Sequence, residues 1–302
     1  MKIIECIPNF SEGCDKENVH KIADALLATR GIKLIDFSMD ADHHRSVFTF
    51  IGSPGNVLSG AMAACTRAVE LIDLRRHSGV HPRLGAVDVV PFVPLRGAKM
   101  EDAVTVARRF GKEFGKKNNI PVYFYGEAAL NPSRRELADI RRGGYEKLRE
   151  RLEDPHWFPD AGPSAFNERA GATVVGARMP LIAFNVNLNT NDLHLAQDIA
   201  RAIRQSNGGL QHVKAIGVPL KSRNIVQVSM NLTNYKETSM RMVYDTVKNQ
   251  ATQRGSTIME SELIGLIPED ALEGVSPDYL QLSNFCADCI IETHLRESIS
   301  DM

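Results

Sequence analysis

Residues 179–268 carry strand and helix signals in a single order, and that order leaves few ways to bury their apolar faces. "MPLIAFNVNL" (179–188) reads as a strand, and "NDLHLAQDIARAIRQSNGG" (191–209) as a helix capped by Asn191 or Asp192 and closed by glycine. Strands follow at "VKAIGVPL" (213–220) and "IVQVSMNL" (225–232), then a helix at 238–255 and a strand at 260–268. Strand, helix, strand, strand, helix, strand is the ferredoxin-like order. Residues 2–95 read the same way, with a helical extension after them. "PNF" (8–10) and "AFN" (183–185) occupy corresponding first strands. The expected fold class is therefore α/β (α+β), with two ferredoxin-like subdomains, antiparallel or mixed sheets, and a crevice between them. The division falls within the Pro- and Gly-rich 154–180, giving subdomains 1–178 and 179–302. In the first half, "AVDVVPFVPL" (86–95) reads as a strand whose prolines confine it to an edge or to its ends.

Composition narrows the function classes. With 36 Lys+Arg against 37 Asp+Glu there is no global basic field for nucleic acid or an acidic membrane surface. No run of about 18 apolar residues suggests a transmembrane helix. The N-terminus does not read as a secretory leader, and five cysteines in a chain of 302 residues fit a reducing compartment. The expectation is a cytoplasmic protein.

Four constellations could carry chemistry. "HSGVHPRLGAVDVVPFVP" (77–94) contains His77 and His81 at the spacing of a helical zinc site. Gly79, Val80 and Pro82 oppose a helix there, and a residue preceding proline is driven to extended backbone. His81 then projects from a rigid turn, as either a general acid/base or a hydrogen-bonded bystander. In "DADHHRS" (40–46), Arg45 and the polar loop suit a substrate carboxylate or heterocycle. An exposed turn is the competing reading. A metal site built on Asp40, Asp42, His43 and His44, as in a metal-dependent hydrolase, is the third. "GPSAFNERAGATVVGAR" (162–178) has small residues that allow close backbone approach to a ligand, with an interdomain linker as the alternative. It lacks the order of a dinucleotide or P-loop motif, so no nucleotide is expected. "CADC" (286–289) is one unpaired C-x2-C, which is weak for zinc and is read as local packing or chance.

Taken together, "ECIPNFSEG" (5–13), "RSVFTFIG" (45–52), "HSGVHPRLGAVDVVPFVPLRG" (77–97), "PVYFYGEAA" (121–129), "LIAFNVNL" (181–188) and "ELIGLIP" (262–268) resemble the glutamate formiminotransferase family, colinearly over about 1–275. Only the transferase part is matched, without a cyclodeaminase domain. The resemblance implies transfer of a formimino group from N-formiminoglutamate to N5 of tetrahydrofolate, in histidine degradation and one-carbon metabolism. It implies two α/β subdomains, a homodimer, and tetrahydrofolate as co-substrate with no metal. The family's catalytic histidine lies in His-Pro-Arg, here His81-Pro82-Arg83. Its folate-binding stretch corresponds to Gly162, Pro163, Ser164, Ala165, Phe166, Asn167, Glu168, Arg169, Ala170 and Gly171. Two departures stand out: "NERA" replaces an aromatic-containing version found in animal members, and His44 stands where asparagine is common. Both substrates carry carboxylates, so Arg45, Arg83 and Arg178 are candidate partners. Asp40, Asp88 and His44 complete the candidate substrate-binding set. The metal-dependent hydrolase and a non-catalytic folate-binding or regulatory protein are the alternatives in other classes, and N-formylglutamate in place of the formimino donor is a close third.

Overall fold

A computed structural model of the chain describes residues 1–41, 44–77, 83–220 and 223–300, with side chains through 296. The chain forms two compact units, Met1–Arg178 and Met179–Met302.

In the first unit the strands are β1 (Ile4–Cys6), β2 (Asn9–Phe10), β3 (Ile32–Asp40), β4 (Arg45–Gly52), β5 (Val87–Pro94), β6 (Val122–Gly126) and β7 (Thr173–Ala177). The helices are α1 (Lys16–Leu27), α2 (Pro54–Leu71), α3 (Met100–Asn118) and the short α4 (Leu137–Arg141) and α5 (Leu148–Glu153). All seven strands share one mixed sheet. β3 pairs with β4, and both β1 and β2 lie between β4 and β5. β5, β7 and β6 then continue the sheet in parallel.

β5 is thus an interior strand, which corrects the edge position its prolines suggest. Pro91 lies opposite the break between β1 and β2, and its carbonyl accepts from the Ile7 N–H at 3.1 Å. The N–H and C=O of a strand residue point to the same side, so the donor that Pro91 lacks faces that break. Pro8, within the break, turns its carbonyl to the other side, where it accepts from the Phe48 N–H of β4 at 3.1 Å. A second correction concerns 154–180. Thr173–Ala177 is no linker but the fully buried β7, a short apolar run with no periodicity to mark it as a strand.

Side chains alternate across this sheet. Ile4, Cys6, Phe10, Phe48, Phe50, Val90 and Phe92 join α1, α2 and α3 in one apolar cluster. On the opposite face, Val89, Tyr123, Tyr125 and Val174 pack under Ile140, Leu148 and Leu152 of α4 and α5. Gly143 and Gly144, both at positive φ, break the charged helical stretch between those two helices.

Glu5 falls on that opposite face by strict alternation between Ile4 and Cys6. It is 3% exposed, and burial pushes its carboxyl up to about 7 even though Arg178 pulls the other way.

The second unit contains β8 (Ile182–Leu188), α6 (Leu193–Ile203), β9 (Val213–Leu220), β10 (Ile225–Leu232), α7 (Met240–Gln253), β11 (Ile258–Ile264) and α8 (Ile291–Ser300). Its antiparallel sheet runs β11-β8-β10-β9, the arrangement that the ferredoxin-like order produces. Asp192 caps α6 by accepting from the His194 and Leu195 N–H groups. Ile182, Phe184, Val186 and Leu188 face the helices, while Asn185 and Asn187 face the other way. On that polar face Asn187 Nδ2 donates to Glu260 at 3.0 Å and Glu262 at 2.8 Å, and Gln227 donates to Asn187 Oδ1 at 2.8 Å. Among the described residues no helix is long and apolar enough to cross a membrane.

Two stability measurements follow from this packing. Ile199 is fully buried in the second unit's core, and Ile199→Ala should cost about 2–5 kcal/mol, read from the urea midpoint. Glu5 binds its proton more tightly in the folded state than in the unfolded chain. The stability this contributes below its ordinary pKa of 4.5 is lost as pH rises through about 7. Between about pH 5 and about pH 8 the wild type should lose up to roughly 3 kcal/mol from this group, and Glu5→Gln should lack that component. Equal pH slopes in the two proteins would remove Glu5 as the cause.

Candidate active site

The turn from β2 into α1 presses on the end of the β3–β4 hairpin. A Cβ at Gly13 would lie 2.2 Å from the Asp40 carbonyl oxygen and 2.4 Å from the Arg45 nitrogen, so only glycine fits. Glu12 Oε1 accepts from the Cys14 and Asp15 N–H groups at the start of α1, at 3.0 and 2.9 Å. It also lies 3.3 Å from His44 Nε2. His44 has φ +50°, a left-handed conformation in which asparagine and histidine are both enriched. The backbone therefore suits histidine at this position, as it would asparagine.

His77 follows a short 3₁₀ turn, Leu74–Arg76, and is extended, so it does not begin a helix toward His81. Its ring stacks on His44 with centroids 4.1 Å apart and planes 10° from parallel. Its Nε2 lies 3.0 Å from the His44 carbonyl oxygen. A carbonyl only accepts, so Nε2 must carry the hydrogen, leaving Nδ1 as a bare lone pair. That Nδ1 is buried and has no hydrogen-bond partner among the described residues. Burial is the main cause that lowers the His77 pKa, and the nearby His44 and Arg83 add to it against the carbonyl contact, so the ring is neutral at pH 7.

A small cavity of about 10 Å³, room for about one water molecule, is lined by Phe10, Ser11, His44, Arg45, His77, Arg83 and Asp88. Four of the sequence-predicted residues (His44, Arg45, Arg83 and Asp88) therefore meet in one place. Residues 78–82 join two of the lining residues, His77 and Arg83. His81 lies outside the described residues, as do Asp42 and His43.

Electrostatics at this cavity are dominated by arginine. Arg45 donates to Asn9 Oδ1, and burial lowers its guanidinium to about 10, with Asp88 opposing and Arg141 reinforcing the shift. Asp88, 2% exposed, accepts from the Leu84 N–H at 2.9 Å with one oxygen and pairs with Arg141 through the other. Each Asp88 oxygen is thus already engaged within the chain. Arg83 pairs with Glu146 at 3.0 Å and lies over the Tyr145 ring, 5.8 Å from its centroid. The Nε–H groups of Arg83 and Arg141 are buried without a partner among the described residues. Unmade bonds of this kind cost about 1–3 kcal/mol each, and they are expected where a ligand completes them.

The 162–171 stretch braces the flanks of the same segment. The Arg169 carbonyl accepts from Leu74 N at 2.9 Å, and the Ala170 carbonyl from Ala86 N at 2.9 Å. Gly171, at φ +66°, leaves no room for a Cβ, which would lie 2.2 Å from the Leu84 carbonyl oxygen. The close approach that this glycine permits is to the protein's own backbone. Asn167 folds the loop by accepting from the Arg169 and Ala170 N–H groups. Phe166 lies against Tyr145 with ring centroids 5.5 Å apart, and Arg149 covers its other surroundings at 4.8 Å. Gly162, Ser164, Ala165, Glu168 and Arg169 are exposed. Tyr145 ties the two parts together: its N–H donates to the Arg83 carbonyl and its hydroxyl to the Glu168 carbonyl.

Two predicted residues do not line the cavity. Asp40 is exposed at the end of β3, and Arg178 follows β7, where it interacts with Glu5 and Tyr125. Glu12, Cys14 and His44 place a carboxylate oxygen, a thiol and a ring nitrogen within 4.8 Å of one another, a set that could hold a cation. It shares only His44 with the Asp40, Asp42, His43 and His44 set. Sequence reasoning left His77 unassigned and missed Glu12, Arg141 and Tyr145. Tyr145 had a signal, an aromatic residue directly after Gly143-Gly144. Arg141 had none, because "RRELADIRR" reads as a solvated charged helix.

The chain matches two family models, the N-terminal subdomain of the formiminotransferase domain over residues 3–178 and the formiminotransferase domain over 183–300. It is 45% identical to a glutamate formimidoyltransferase of Thermoplasma acidophilum, over 99% of both chains. It is 41% identical to a protein of the same name from Streptococcus pyogenes, over 97% of this chain and 99% of that one. A formimidoyltransferase-cyclodeaminase of Gallus gallus is 44% identical over 93% of this chain, which spans 53% of that longer protein. With colinear identity at this level through both units, the chain belongs to the formiminotransferase family.

Proposed function

We propose that this chain transfers the formimino group of N-formimino-L-glutamate to N5 of tetrahydrofolate, giving 5-formiminotetrahydrofolate and L-glutamate. The observation that carries the reading is the full-length similarity to two proteins named glutamate formimidoyltransferase, spanning both units. In this reading 1–178 and 179–302 act as the N- and C-terminal formiminotransferase subdomains, in a cytoplasmic homodimer. Tetrahydrofolate is a co-substrate, and the chemistry calls for no metal or nucleotide.

N5 of the reduced pterin attacks the amidine carbon and forms a tetrahedral intermediate. The attacking nitrogen loses a proton and the departing glutamate nitrogen gains one. His81 is assigned as the imidazole that accepts the first proton and delivers the second, a role worth about 10²–10⁴ in rate. Its position in the sequence, between two residues that line the cavity, supports the assignment. Arg45 and Arg83 bind substrate carboxylates, the unpartnered Arg83 Nε–H being ready for an anionic oxygen. The 162–171 stretch, held against Tyr145, receives the folate. Arg178, Asp40 and Asp88 have weaker support as contacts: two lie away from the cavity, and Asp88 works through Leu84 and Arg141.

His77 bears on the choice of donor. Its Nδ1 can only accept, so it suits an N–H of a formimino group and repels the oxygen of a formyl group.

His81→Ala, with an unchanged circular dichroism spectrum, should lose about 10²–10⁴ of turnover with formiminoglutamate and tetrahydrofolate while still binding folate. Near-normal turnover would take His81 out of the mechanism. His77→Phe keeps a ring against His44 but removes the lone pair. It should lower kcat/KM for the formimino donor by about tenfold and leave the slower N-formylglutamate reaction unchanged. A wild type that prefers the formyl donor would reverse the assignment of substrate.

A further inference from the structure

Five cysteines occur in the chain, and the structure sorts them by chemistry. Cys6 and Cys65 are buried in the first unit, where burial pushes both thiols well above their ordinary range and leaves them inert. Cys14 is exposed at the start of α1. Cys286 and Cys289 differ from these in having each other. Their sulfurs lie 3.3 Å apart at a short 3₁₀ turn, Ala287–Cys289, closed by the Cys289 N–H donating to the Cys286 carbonyl at 3.0 Å. A disulfide needs about 2.05 Å between sulfurs, so closure asks for little more than side-chain rotation.

We propose that Cys286 and Cys289 form a covalent modification site, a vicinal dithiol that a low-molecular-weight disulfide converts to an intramolecular disulfide. The two sulfurs have distinct parts. Cys286 is exposed and is the attacking group; its thiolate displaces one thiol from the incoming disulfide and leaves a mixed disulfide on Cys286. Cys289 is half-buried, its thiol pointing at the Asn284 carbonyl at 3.7 Å, and it is the resolving group. It attacks the Cys286 sulfur, expels the second small thiol, and closes the ring. The protein dithiol gives up two electrons and two protons, and the small disulfide becomes two thiols. Burial raises the Cys289 thiol, which agrees with its acting second.

The turn is anchored where closure would be felt. Asn284 holds both backbone groups of Leu263 on β11, and the Cys289 carbonyl accepts from Ile267 N at 2.9 Å. Ile290 and Ile291, immediately after it, are buried where α8 begins. In a reducing cytoplasm the pair rests as the dithiol, and oxidation staples this strap without displacing β11.

The test exposes the folded full-length chain to oxidised glutathione, quenches with acid, alkylates in denaturant and determines the mass. With Cys14→Ser removing the other exposed thiol, the chain should lose two of its four alkylatable thiols and two hydrogens, and retain no glutathione. In that background Cys289→Ser should trap glutathione on Cys286. Cys286→Ser should react at Cys289 at least about tenfold more slowly. Four free thiols, glutathione retained by the Cys14→Ser chain, or a disulfide-linked dimer would each overturn the proposal.

Discussion

The Asp88 carboxylate is the point on which the candidate site rests. It is buried on β5, and it spends one oxygen on the Leu84 N–H and the other on Arg141. Through Leu84 it fixes the chain just after Arg83, and through Arg141 it fixes the covering segment that carries Tyr145. A buried pair of this kind contributes little net stability, yet removing one partner costs several kcal/mol because the other charge is stranded. What it supplies here is position. Arg45, His77 and Arg83 surround the same small cavity as this carboxylate, and the 162–171 loop is bonded to the chain on either side.

The arginine-rich cavity also explains why so many polar atoms remain unsatisfied in one place. Arg83 Nε, Arg141 Nε and His77 Nδ1 are all buried without partners among the described residues, two donors and one acceptor. A core built only for stability would not tolerate them together. An anionic oxygen and an N–H would answer the two that belong to cavity-lining residues, Arg83 and His77. The second unit shows the contrasting solution, in which Asn187, Gln227, Glu260 and Glu262 satisfy one another across a sheet face.

How much of this was legible in the sequence depended on the kind of signal. The second unit was readable because its strands alternate cleanly, as in Phe184-Asn185-Val186-Asn187, and its helices carry caps such as Asp192. β7 was not, because its five residues, Thr173–Ala177, are all buried and have no period. Pro91 misled for a specific reason: the rule against interior proline assumes a continuous neighbour, and the neighbour here is broken at Pro8. The cavity could be anticipated at Arg45 and Arg83 because matching motifs flank them, and at Asp88 only from its chemistry and local position. His77 and Arg141 depend on tertiary contacts, a carbonyl from residue 44 and a carboxylate from residue 88, which no local pattern announces.

Pro91 has a further effect on the accuracy of assembly. Set opposite Ile7 in the break, it acts as a registration mark between β1–β2 and β5. Sliding β5 by one residue would set its missing donor against an intact stretch of neighbour, orphan a carbonyl, and turn Phe92 out of the apolar cluster. The same slip would bring the Glu5 face and the Phe10 face out of step with their partners. A residue that weakens a sheet elsewhere therefore acts here as a key that fits one alignment, and the site inherits its geometry from that alignment.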